Sequence, residues 1–444
     1  MLKIMQSSVL PLMLLVSSIA PAATMTMADI IARAVDNASA VERAVADLET
    51  ARARADSAYT VYSPYVALSG SYSRLSEEEL PELTPGFSFP QFLDNYSFQA
   101  SAQFAVSDYL LTRPALYKIG TEGMRFQEAQ LDAARERVAM QAATLALQWT
   151  AAKEGLSVAE SGARTLEAGV NDIERLQEAG LATRSDALAI KAQHAAVATS
   201  VIRARGLVKT LALQLGQLIG LDAKQPVPEL ELRLNDQPRN PDIALTEALA
   251  TAIAQRPELR ALRKARDLQS YEVDRYFGEL FPKLGLVGVV DTANPNQRIF
   301  PLVEEYNTTW AVQATLTWSP NDFVIQRSLY KEAQEQLKGL EADLKGLRQA
   351  VELELASVIS DLETARELCT ATSKEQSAAQ AALRDQEILF KAGETTSLQL
   401  LEREQANREA ALGHIDALVQ LFLAEIRLQK SLGDLDSFAR KELK

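Results

Sequence analysis

Side chains able to do chemistry are sparse in this sequence. Its 444 residues include two histidines, His194 and His414, and a single cysteine, Cys369. A zinc site needs three or four N, S or O ligands converging on one point, and neither histidine has a third ligand near it. No nucleophile elbow, P-loop, paired-glycine fingerprint or zinc-protease motif is present, so no catalytic, cofactor-binding or metal-binding role is assigned. The chain carries 46 Lys+Arg against 59 Asp+Glu, a formal charge of -13. Phosphate binding needs a basic face, which makes nucleic acid an unexpected partner.

What stands out instead is a motif written twice. Gly180-Leu-Ala-Thr183-Arg-Ser-Asp186-Ala-Leu188 and Gly393-Glu-Thr-Thr396-Ser-Leu-Gln399-Leu-Leu401 both obey G-x-x-T-x-x-[D/Q]-x-L, 213 residues apart. Glycine tolerates the positive φ of a helix C-cap, and threonine caps the next helix. Gly180, Thr183, Gly393 and Thr396 therefore mark two helical hairpin tips.

The elements that position these tips are duplicated too. The same offset holds for Leu116-Tyr117-Lys118 against Leu329-Tyr330-Lys331, and for Gly220 against Gly433. Upstream it becomes 218, pairing Pro64 with Pro282 and Asn37 to Val41 with Gln255 to Leu259. Each copy opens with an alanine-rich helical stretch, about 27 to 61 and 242 to 277, the second N-capped by Asp242. Two alternating runs follow, Val66 to Leu75 and Tyr96 to Val106, then Lys283 to Val290 and Thr308 to Trp318, and these are predicted strands. Polar, turn-forming residues 77–86 and 291–297 join them as surface loops. No proline interrupts Ala115 to Gln225 or Asn321 to the C-terminus, and a helix from Leu116 to Ala179 would be roughly 95 Å long.

On that helix Leu131, Val138, Leu145, Ala152, Ala159, Leu166 and Ile173 recur every seven residues, a coiled-coil stripe repeated from Leu344 onward. Cys369 takes the place of Leu156 in the repeat and is expected as a buried small hydrophobe. Residues 1–22 read as a signal peptide, with Lys3, an apolar stretch from Val9 to Val16 and a cleavage site after Ala22. There is no cysteine at that site for lipid attachment. The predicted organisation is 23–220 as one repeat, 221–241 as a Pro-rich connector and 242–444 as the second repeat. Nothing later offers about 18 uninterrupted apolar residues, so contact with a bilayer has to be made by strands. Four strands cannot close a barrel, which needs at least about eight. Two chains would supply eight and three would supply twelve.

The two-fold repeat, Arg256-Pro-Glu-Leu259, the Ser-Pro-Asn321 entry to a long helix and both G-x-x-T tips resemble the TolC-like outer-membrane efflux family over the whole mature chain. The resemblance implies a mainly α fold with a transmembrane β part: a homotrimer whose twelve-stranded barrel in outer-membrane lipid continues into a long periplasmic α-helical barrel. It implies an exit duct for efflux or type I secretion in a Gram-negative outer membrane, docked at its tips on a periplasmic adaptor and an inner-membrane transporter of RND, ABC or MFS type. It also implies a periplasmic gate of acidic rings six and nine residues after the second tip glycine. Here those positions hold Gln399 and Glu402, while the first repeat offers Asp186. The competing class, a periplasmic coiled-coil scaffold or adaptor, has no use for two pairs of membrane-length strands.

Overall fold

The computed structural model describes residues 25–77, 91–180, 182–222, 225–230, 244–433 and 435. The signal peptide, most of the 77–86 loop and Asp242 lie outside them. Two helices, α1 (Met27–Asn37) and α2 (Ser39–Ala58), lead through a short 3₁₀ turn into β1 (Tyr65–Arg74) and β2 (Asp94–Ala105). Then come α3 (Val106–Leu111), α4 (Arg113–Glu178) and α5 (Arg184–Leu218). The second copy runs α6 (Leu245–Gln255), α7 (Pro257–Gly278), β3 (Lys283–Asn294), β4 (Asn307–Thr317), α8 (Pro320–Lys391) and α9 (Ser397–Leu432). α4 has 66 residues and α8 has 72, giving rods of about 100 and 108 Å at 1.5 Å per residue.

The alanine-rich stretches were expected as single helices, and each is instead broken once, at Ala38 and at Arg256. Both residues leave the helical region, with ψ of 122 and 123. Pro257 disfavours the α region for Arg256. Ala38 has no such proline, but its counterpart break is held in the same way. At Gly433 (φ 80) an added Cβ would come within 2.8 Å of the Arg256 nitrogen, and at Gly220 (φ 75) within 2.5 Å of the Asn37 side chain. Each break is thus the point where the returning hairpin's glycine cap packs against the opening helices. α6 begins at cap Ala244 with no side-chain cap bond, in place of the expected Asp242.

Arg256 ties the second break together. It is 6% exposed, donates to the Ser431 carbonyl at 2.6 Å, and makes two bonds to Glu354 at 2.9 and 2.7 Å. The Ser431 hydroxyl donates to Glu354 as well, at 2.8 Å. A planar guanidinium suits this two-pronged bond to a carboxylate.

The heptad stripes pack as coiled coils. Leu131, Val138, Ala142, Trp149, Leu166 and Ile173 are buried in the first hairpin, and Val351, Leu355, Val358 and Leu362 in the second. Cys369 is only partly buried, between the two main clusters, and that burial pushes its thiol pKa up. The connector is pinned where Met25 bridges Leu230 in parallel and donates to the Glu229 carbonyl at 2.9 Å.

The sheet is antiparallel in the order β1-β2-β3-β4. Its registers show how the two offsets meet. Tyr65 pairs with Gln103 and Lys283 with Thr317, so β1 and β3 are related by 218 and β2 and β4 by 214. Four of the five residues of difference therefore fall in the hairpin loops. The fifth is absorbed at Thr112, where Pro114 in the first turn of α4 separates α3 from α4, while α8 runs unbroken.

Where α4 meets α7, Glu122 accepts from Lys264 at 2.8 Å and Asp132 from Arg260 at 2.8 Å. Glu136 on the same seam is 8% exposed and one of its carboxylate oxygens has no hydrogen-bond partner. Burial, followed by repulsion from Glu258, raises its pKa from 4.5 to about 7 against the pull of Arg256, Lys430 and Arg260. A raised carboxyl pKa means the folded state holds a proton that the unfolded state has lost. Its effect on stability is absent below about pH 4.5, becomes increasingly unfavourable towards about pH 7, and is constant above. Glu136→Gln should therefore flatten the fall in thermal unfolding midpoint between those pH values, measured in detergent, and the variant should be the more stable protein at pH 8.

Candidate functional site

Two regions of the chain are candidate functional sites. One is the sheet. Side chains alternate across a strand, and here the registers sort them by polarity. Val66, Leu68 and Tyr72 share a face with Phe98 and Phe104, with Leu284, Leu286 and Val290, and with Trp310, Val312 and Leu316. Leu68 is 81% exposed and Trp310 74%. The opposite face carries Ser69, Ser71, Ser97, Gln99, Ser101, Gln103, Thr309, Gln313 and Thr315, with Tyr65, Val287 and Val289 as its larger apolar residues. A single layer, apolar on one side and polar on the other, suits lipid outside and water inside. No described helix is long and apolar enough to cross a membrane.

Near one end of the strands, aromatic rings cluster. Tyr62 lies beside Tyr109 and Tyr117, Phe104 stacks on Tyr109 at 4.0 Å, and the Arg113 guanidinium covers Tyr109 at 4.1 Å. Amphipathic rings of this kind sit well where apolar and aqueous phases meet.

The other region is the pair of hairpin tips, at the far ends of α4 and α8. Gly180 and Gly393 have φ of 76 and 75. Thr183 caps α5 through a reciprocal box: its hydroxyl accepts from the Asp186 amide at 3.2 Å, and Asp186 accepts from the Thr183 amide at 3.1 Å. Thr396 and Gln399 form the same box on α9 at 3.4 and 3.5 Å. Beneath the tips, Ile173, Ala187, Ile190, Leu383, Phe390 and Leu400 join all four long helices in one apolar cluster.

Asp186 also accepts from the Ser397 hydroxyl at 3.1 Å, a bond from the first hairpin to the second. Thr183's side chain, then its backbone, then Ser397 hold the Asp186 carboxyl below its usual pKa, so it stays ionised. Gln399 engages Thr395 and Thr396. Glu402 is exposed, with no hydrogen bond or ion pair among the described residues. The structure thus joins Asp186 and Ser397, and places Glu402 apart on the surface of α9.

Sequence reasoning did not reach Glu404, which is 1% exposed on α9. Its carboxylate takes two bonds of 2.7 Å from Arg408 and lies over Gly162 of α4, where a Cβ would come within 2.5 Å. Burial raises its pKa and Arg408 opposes the rise. The available signal was a line of glycines at heptad spacing, Gly155, Gly162 and Gly169, together with the i,i+4 acid–base pair Glu404 and Arg408 on α9. His414 meets Thr372 at 3.1 Å, while His194 lies on α5. Among the described residues no group of His, Cys, Asp and Glu could hold a metal ion.

A sequence profile described as "Outer membrane efflux protein" matches residues 30–221 and 248–434. No curated protein sequence matches the chain. Solved structures similar in fold include the CmeC outer membrane channel of Campylobacter jejuni, with a TM-score of 0.80, 15% identity and coverage of 94% of this chain and 89% of that one. The MtrE outer membrane channel of Neisseria gonorrhoeae, in its open state, gives 0.77 at 20% identity over 92% and 89%. The outer membrane protein VceC of Vibrio cholerae gives 0.76 at 16% identity over 92% and 96%. Two profile matches, one on each repeat and together spanning most of the sequence, make this chain a member of the outer membrane efflux protein family, a non-enzymatic channel rather than a catalyst.

Proposed function

We propose that three copies of this chain assemble into one duct that carries substrates out through the outer membrane. Members of the family work with periplasmic adaptors and inner-membrane transporters as exit ducts of tripartite efflux systems. The finer reading is a homotrimer with a twelve-stranded barrel, fed by a transporter of RND, ABC or MFS type, with Gly180, Thr183, Gly393 and Thr396 at the tips that meet the adaptor. Residues 1–22 act as the export signal.

The observation that carries this reading is the sheet. Its four strands separate a mainly apolar from a mainly polar face, its outer strands β1 and β4 each leave an edge unpaired among the described residues, and it runs directly into rods of about 100 Å. Unpaired strand edges are not tolerated in lipid, so copies must supply the missing neighbours. Mass measurement of the detergent-solubilised protein should give three chains, with ion conductance after insertion into planar bilayers. A stable monomer, or a soluble protein that never inserts, contradicts the duct.

The tip carboxylates set the ion preference. Asp186 and Glu402 from three copies bring six negative charges to the narrow periplasmic end, and a converging negative field favours cations. Because Asp186 also caps α5, the informative variant is Asp186→Asn with Glu402→Gln, which removes charge while an amide can still accept the capping bond. Cation selectivity and block by multivalent cations should both fall severalfold in bilayer recordings. Unchanged selectivity and block in a normally inserted channel would remove these residues from the gate.

A further inference from the structure

Residues 295–306 join β3 to β4 at the end of the sheet away from the rods, and they leave β3 on one particular side. Asp291 and Ala293 alternate with Val290 and Thr292 along β3, so both belong to the mainly polar face. Thr309 of β4 stands opposite Asp291 on that face. The Asn296 side chain donates to the Asn307 carbonyl at 2.8 Å and reaches the Thr309 hydroxyl at 3.4 Å. Its own oxygen accepts from the Arg298 amide at 3.0 Å, and the Ile299 amide donates to the Asn296 carbonyl at 3.1 Å. These bonds turn the chain over the polar face instead of letting it run on beyond the strands.

Burial agrees with that direction. Ala293 is 7% exposed and is the one buried residue in the four strands. Pro295 and Asn296 are buried with it, so the cover begins with the first residues of the loop. Beyond this anchored base the loop is apolar and bare: Phe300 is 84% exposed, and Leu302 and Val303 are exposed beside it. Large apolar side chains grouped in water mark a surface that meets something.

We infer that residues 295–306 form a lid over the outer mouth of the duct. The loop folds in from the β3–β4 hairpin of each copy, Asn296 latches its base to β4, and Phe300 leads an apolar tip that meets the same tips near the axis. The inference rests on the duct proposed above and concerns the exit of that duct, not the joining of its strands. Apolar constrictions gate by dewetting. Such a lid keeps bulky polar solutes of the medium out of the lumen while the periplasmic end is open, and it yields outward where the Asn296 bonds let go.

Reach decides whether the tips can meet. Twelve strands about 4.8 Å apart, tilted by about 40°, close into a barrel of roughly 12 Å backbone radius. The turn from Asn296 to Ile299 spans up to about 7 Å, and Phe300 adds about 3.5 Å before its ring begins. That total approaches the radius, so the ring arrives close to the axis. The return arm from Phe300 to Asn307 is longer still and sets no limit. The wall beneath the lid is lined by Ser97, Gln99, Ser101 and Gln103 of β2, which hold water readily. Only the mouth is apolar enough to exclude it.

The test uses the full-length protein in intact cells, with Cys369→Ser to remove the native thiol. Ser101→Cys places a thiol on the polar face of β2, opposite Val289 and below the lid. A bulky polyethylene glycol maleimide, added outside and read as a gel shift of the purified protein, reports the mouth independently of the periplasmic gate. Phe300→Ser, which alters an exposed side chain and leaves folding intact, should raise the labelling rate severalfold, and so should Asn296→Ala. A compact charged maleimide should label the thiol with the lid unaltered or released. If the bulky reagent labels the unaltered lid and both lid variants at one fast rate, the lid is overturned and the duct stands. If even the compact reagent never reaches position 101, the polar face does not line a lumen, and the duct reading fails with the lid.

Discussion

The constraint on which the rest of this structure depends is that backbone N–H and C=O groups have no partner in hydrocarbon except one another. Among the described residues of one chain, four strands satisfy that demand between neighbours and leave it unmet along the outer edges of β1 and β4. Everything distinctive in the molecule is compatible with copies meeting at those edges. Most of the large apolar side chains stand on one face of the sheet, and the strands continue into rods that diverge from the sheet instead of folding back over it. A compact domain would cover the apolar face with its helices; here Leu68 and Trp310 are left more than 70% exposed.

The rods obey a different rule. Two helices of 66 and 72 residues gain little from propensity alone over such a length, and packing must hold them. Each is held at its far end by the apolar cluster around Phe390 and at its middle by the glycine caps lodged against the Ala38 and Arg256 breaks. Small residues at the seams let helices approach closely, and polar bonds are concentrated where the seams change partner. Arg256 with Glu354 and Ser431 secures the middle, Asp186 with Ser397 joins the tips, and Glu404 with Arg408 fills the space over Gly162. The mid-rod region is thereby fixed on its own account, while among the described residues a part-buried hydrogen bond and one apolar cluster join the two tips.

Much of this was legible in the sequence because it is periodic. Period two marked the strands, period seven marked the rods, and the long period marked the duplication, so all four strands and both tips were placed to within a few residues, although β3 runs on to Asn294 through residues 291–294 that were expected as loop. The signals that failed were the ones without a period. The break at Ala38 carries neither proline nor glycine and is set by Gly220, which arrives from 182 residues away through the Asn37 contact. The Arg256 network joins three segments far apart in the chain, and no local pattern announces a buried guanidinium. The second strands are related by 214, one more than the rods that follow them. In a strand a one-residue slip moves every side chain to the other side, so only the pairing itself shows which residues are equivalent. The acidic positions at the tips show the same limit: the family resemblance pointed to Asp186 and Glu402, but not to the first being held by Thr183 and Ser397 while the second stands clear.

The central claim is that the apolar-faced sheet and the rods enclose one continuous water-filled passage. Electron cryomicroscopy of the protein in a lipid nanodisc tests it most directly. The account predicts a hollow barrel in the bilayer leading without interruption into a hollow helical cylinder of about 100 Å, from the rise per residue of α4 and α8, with six similar repeats around the axis. A solid helical bundle without a lumen, or strands lying outside the lipid, would contradict it.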